Sequence, residues 1–70
     1  MSDAVYTKIE LVGTSADSIE DAIRKAVAAA THQGHTVDWI EVLETRASVR
    51  DGHVNHFQVV LKAGVRLPPA

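Results

Sequence analysis

Asp51-Gly52 restricts this chain more than any other feature. An Asp-Gly pair between two β-rich runs is the strongest short-range hairpin signal, because both residues accept the positive φ angles of a type I′ turn. The runs on either side, from Val37 to Arg50 and from His53 to Leu61, are long and rich in β-branched residues. The C-terminal half therefore predicts one long hairpin. A regular turn places Arg50 opposite His53 and pairs Arg46 with Phe57, Glu44 with Val59, Val42 with Leu61 and Ile40 with Ala63. Period-2 alternation then puts Ile40, Val42, Phe57, Val59 and Leu61 on one apolar face. The other face carries Trp39, Leu43 with Val60, Thr45 with Gln58, and Val49 with Val54, with Glu41 opposite Lys62. One bulge would shift this register.

The N-terminal half supplies two more elements. Val5-Tyr6-Thr7-Lys8-Ile9-Glu10-Leu11-Val12 alternates as a strand does. Gly13-Thr14-Ser15 is expected to end it in a tight turn. Ser18 then starts a helix as its N-cap, with Asp21 three residues on in a capping-box position. Ile19, Ala22, Ile23, Ala26, Val27 and Ala30 form one stripe at helical spacing. Most of that stripe is alanine, which allows a close approach to a sheet. Gly34 is the expected stop. The order is β-α-β-β, an α+β fold in which a three-stranded antiparallel sheet wraps one helix, and residues 1–70 form one domain.

Seventy residues with no cysteine build a small core and no disulfide framework. Association with further copies is the expected source of the missing stability. A formal net charge of −2 provides no basic stripe for nucleic acid. No segment is long and apolar enough to cross a membrane, and the N-terminus lacks the pattern of a signal peptide. A cytoplasmic protein is the expectation. His53 and His56 point to opposite faces of a strand, so no metal site is expected from one chain. No nucleophile, base and orienting group can be assembled from these residues.

The functional argument rests on Trp39, the single tryptophan. Its parity sets it on the face that one helix cannot cover. A large aromatic there is either packing at a subunit contact or a stacking platform for a planar ligand. Gln58 shares that face, and its amide can read a heterocycle edge that alternates donors and acceptors. Most strand glutamines are merely solvated. Gln58 lies about 20 Å along the strand from Trp39, at the usual rise per residue. One planar ligand reaches both only if its pocket is shared between copies, or if the register differs. Arg46 and Arg66 suit an anion such as phosphate, although surface arginines are more often plain surface charge.

The segments from Val5 to Ser15, Asp38-Trp39-Ile40-Glu41-Val42, Arg46, Asp51-Gly52, Phe57-Gln58-Val59 and Gly64-Val65-Arg66-Leu67 together resemble the dodecin family over nearly the whole chain. The resemblance implies a hollow homododecamer built from trimers that stores or sequesters flavin without turning over a substrate. It implies that Trp39 stacks on the isoalloxazine and quenches its photochemistry, that Gln58 hydrogen-bonds the ring, and that Arg46 and Arg66 contact the flavin phosphate. Members without an arginine like Arg46 favour riboflavin and lumichrome, so both arginines point to FMN, with riboflavin and FAD as related ligands. Some bacterial members also bind coenzyme A. A small flavoenzyme and a shell for coenzyme A or another nucleotide are the alternative readings.

Overall fold

A computed structural model describes residues 3–69. The chain runs β1 (Tyr6–Ser15), α1 (Ile19–His32), β2 (Thr36–Arg50) and β3 (His53–Arg66). The three strands form one antiparallel sheet in the order β1-β3-β2. The last strand is therefore central, and α1 carries the chain from one sheet edge to the other.

Each turn of the chain has a local cause. Ser18 has extended backbone angles, and its hydroxyl accepts the N–H of Asp21 at 3.0 Å. The Asp21 carboxylate does not reach back to its cap. It accepts instead from the buried hydroxyl of Ser15 at 2.6 Å, and that hydroxyl takes the Asp17 N–H at 2.9 Å. At the other end Gly34 has φ +91. His35 N–H bonds the Ala30 carbonyl at 3.1 Å and Gly34 N–H bonds that of Thr31 at 3.0 Å, the two bonds of a Schellman closure. Asp51 and Gly52 have φ of 51 and 78, as a type I′ turn requires.

Gly13 departs from expectation. β1 runs on through Ser15, so Gly13 is a strand residue and not part of a turn. A β-carbon there would strike the Ala22 carbonyl oxygen and come within 3.1 Å of Ala26 Cβ. The glycine lets α1 lie directly on β1.

Beneath the helix, the buried hydrophobic residues are Ala22, Ala26 and Ala30 from α1, with Val59, Leu61, Ala63 and Val65 from β3. Ile9, Leu11, Ile19, Ile23, Val37 and Ile40 flank them. Among the described residues, only Val59 and Leu61 are sizeable and fully enclosed. At about 1.5–3 kcal/mol per fully buried side chain of that kind, this is a thin core for a folded chain. Val12, Val42, Leu43, Val49 and Val54 are each about half exposed or more.

The hairpin register is right at both ends and displaced in the middle. Arg50 faces His53 and Val49 faces Val54; Val42 faces Leu61, Glu41 faces Lys62 and Ile40 faces Ala63. Between these, Arg46 pairs with Gln58 and not Phe57, Thr45 with Val59 and not Gln58, and Glu44 with Val60. The shift enters at Asn55, which has no partner on β2, and is cancelled at Leu43, which has none on β3. A third irregularity falls at Asp38. One extra residue flips every following side chain to the opposite face. Glu44 and Arg46 thereby leave the helix side and join Gln58 on the outer face.

Candidate ligand site on the outer face of the sheet

Trp39 stands opposite Gly64 of the central strand. A β-carbon at Gly64 would strike indole atoms Cδ2, Cε2 and Cζ2. The ring thus lies across the bare glycine backbone, on the face away from α1, and Trp39 remains 38% exposed. Tyr6, reaching over from β1, meets its edge with ring centroids 4.9 Å apart and planes at 67°. Such an edge contact is a favoured aromatic arrangement. The indole N–H donates to Glu41 Oε2 at 2.9 Å, and Lys8 Nζ sits 2.7 Å from the same oxygen. The Lys8 ammonium, then the indole N–H, hold the Glu41 carboxyl below its ordinary range.

Arg66 lies at the same end of the sheet. Its Nη2 and Nε donate to Asp38 Oδ2 at 2.6 and 3.0 Å. The guanidinium, followed by the Tyr6 hydroxyl, pulls the Asp38 carboxyl below its usual value, and Asp38 raises Arg66 in return. A groove between the chain ends, lined by Val5, Leu67, Pro68 and Pro69, touches this cluster through Arg66.

Arg46 and Gln58 form a second cluster farther along the same face. Arg46 Nε donates to Gln58 Oε1 at 2.6 Å, and its Nη1 lies 3.3 Å from Glu44 Oε1. Gln58 thus spends its acceptor within the chain and keeps its amide N–H groups for another partner. From Gly64 to Gln58 the central strand advances six residues, about 20 Å at the usual rise. The structure thus brings Trp39 together with Arg66 and brings Arg46 together with Gln58, but keeps the two pairs apart.

A family model described as Dodecin matches residues 5–68. The chain belongs to the dodecin family. The dodecin of Thermus thermophilus is 46% identical over 63 residues, which is 90% of this chain and 91% of that protein. Among solved structures, the dodecin of Streptomyces coelicolor is 43% identical, covers all of both chains and superposes with a TM-score of 0.91. The dodecin from Streptomyces davaonensis is 38% identical, with a TM-score of 0.92 over 97% of this chain and 100% of its own. The β-α-β-β architecture is therefore that of solved dodecins.

Several residues of the site escape the sequence reading. Glu41, Tyr6, Asp38 and Gly64 touch Trp39 or Arg66, and Lys8 joins them through Glu41. One signal was available for Gly64: the turn-derived register already sets it opposite Trp39, and a cross-strand aromatic commonly covers a strand glycine. Tyr6 and Lys8 had none, since no local pattern tells which strand β1 will join.

Proposed function

We propose that this dodecin is a flavin-binding storage and sequestration protein that does not turn over a substrate. The observation that carries the reading is the seat of Trp39. One face of the indole rests on Gly64, and the ring lies on the side of the sheet that the helix leaves uncovered. A flat, partly exposed π-surface is what a planar heterocycle stacks on. Gln58 on the same face has amide N–H groups to offer a ring carbonyl.

The separation of these groups gives the assembly a functional reason. A ligand that meets both Trp39 and Gln58 must lie between copies of the chain, with the indole from one and the amide from another. The thin core and the half-exposed valines favour the same association. A hollow homododecamer built from trimers meets both needs. Arg46 and Arg66 each hold a carboxylate at the surface. Exposed ion pairs are weak and screened, so a phosphate can displace Glu44 or Asp38 and take the guanidinium fork. That makes FMN the favoured ligand.

When bound, flavin supplies an electron-poor ring that absorbs light and accepts an electron from its neighbour. Trp39 would hold that ring by stacking and would be its electron donor. The test is a native mass measurement combined with an absorbance and fluorescence titration with FMN. A twelve-chain mass with flavin bound and its emission quenched supports the reading. A monomer, or an assembly that leaves FMN emission unchanged, overturns it.

A further inference from the structure

An indole lying on glycine has nothing beneath it to fix its orientation. Gly64 offers a flat surface without a side chain, on which the ring could turn over and exchange its edges. The direction of the N–H is set elsewhere. Trp39 and Glu41 stand two apart on β2, both on the outer face, and the 2.9 Å bond from Nε1 to Oε2 ties the pyrrole edge toward Glu41. Glu41 is in turn anchored from the opposite edge of the sheet. Lys8 is the β1 partner of Gly64, and its Nζ reaches across the central strand to the same oxygen at 2.7 Å. Tyr6 closes the remaining edge of the ring.

We propose that Glu41, held by Lys8, is the positioning residue that locks the indole of Trp39 in the one orientation that presents its outer face to a planar ligand. The proposal rests on the flavin reading for its purpose, but not for its geometry. Both side chains are substantially exposed, Lys8 at 49% and Glu41 at 41%. An exposed ion pair contributes little to folding. Its effect is conformational: the three strands are linked over Gly64 by side chains, and the ring is ordered before a ligand arrives. Pre-ordering of this kind raises affinity by removing a cost otherwise met on binding.

Trp39 is the single tryptophan, so its emission reports this ring alone. The experiment compares wild type with E41Q, E41A and K8M, in the flavin-free assembly and in titration with FMN. The flavin-free readout is the fast local component of the tryptophan anisotropy decay. In E41A that component grows, and FMN binds roughly tenfold more weakly, the value of one lost hydrogen bond to a charged group. E41Q keeps an acceptor oxygen and recovers most of the affinity. K8M falls between the two, because the acceptor stays but loses its anchor. Thermal midpoints change little across the set. Unchanged anisotropy in both E41A and K8M overturns the proposal, as does an E41Q variant no better than E41A. If wild type binds no FMN, the flavin reading falls and the anisotropy comparison still decides the role of Glu41. If E41A does not assemble, E41Q and K8M carry the test.

Discussion

Trp39 and Gln58 share the outer face of one sheet, yet six residues of the central strand separate Gln58 from Gly64, the residue on which Trp39 lies. At the usual rise that is about 20 Å, too far for one ring system to touch both. The relationship makes the assembly part of the site. On the proposed flavin reading, a monomer would hold two half-sites, each completed by a second copy.

Replacing Trp39 removes the platform. W39A is expected to lose at least about 2 kcal/mol of FMN binding, the size of a central aromatic anchor. Flavin emission should stay bright in its presence. A fluorescence titration measures both effects. Tight, quenched binding by W39A would contradict the stacking role.

Arg46 sits beside Gln58, and Arg66 lies near Trp39. R46A should therefore weaken FMN by roughly tenfold or more while riboflavin changes much less, as loss of a charge-assisted phosphate contact predicts. Calorimetric titration with the two ligands checks this. Equal losses would mean that Arg46 acts by orienting the Gln58 amide, whose oxygen it holds.

Gly64 and Gly13 are sites where space, not backbone angle, demands glycine. G64A would push the indole off the strand, and G13A would push α1 off β1. Each should cost about 1–3 kcal/mol by overpacking. The two should differ in optical signature: G64A shifts Trp39 emission and weakens FMN, whereas G13A lowers the thermal midpoint with the tryptophan spectrum intact. Thermal scans followed by emission and near-UV dichroism separate them.

Acid should weaken the fold only slightly through three carboxylates, since each is partly exposed and its ion pair is screened. Asp38, Glu41 and Asp21 are all held below their ordinary values of 3.8, 4.5 and 3.8, chiefly by Arg66, Lys8 and Ser15 respectively. A carboxyl with a depressed folded pKa binds more protons unfolded than folded across that interval. Its contribution is complete above the unfolded value and disappears as pH falls through the folded one. Thermal midpoints should thus be insensitive to these groups at neutral pH and fall below about pH 4.5. In D38N the acid slope should be shallower.

A thin core predicts mass action. Thermal midpoints should rise with protein concentration, since copies that bind only the folded chain stabilise it. Scans over a hundredfold range of concentration test the point, and an invariant midpoint with a monomer mass would count against association.

Much of this was readable along the chain because its causes are local. Asp51-Gly52 needs no neighbour to favour a type I′ turn. Ser18 and Gly34 mark the helix ends by the bonds and angles they permit. The alanine stripe and the outward parity of Trp39 follow from the periods of helix and strand. Family membership was legible as well, from motifs spread over the whole length. The middle of the hairpin was not. Asn55 and Leu43 carry no mark that distinguishes a bulged residue from a paired one, and the faces of Glu44, Thr45 and Arg46 depend on them.

The sequence by itself determined the elements, their ends and the side on which the tryptophan emerges, because each depends on residues within a few positions of one another. Only the tertiary structure decided that β3 lies between β1 and β2, that Arg46 turns outward to hold Gln58, and that Lys8 reaches Glu41 across Gly64. Those outcomes join residues from different strands. They are set by which edges pair and where a bulge slips the ladder, and no local preference of the chain encodes either.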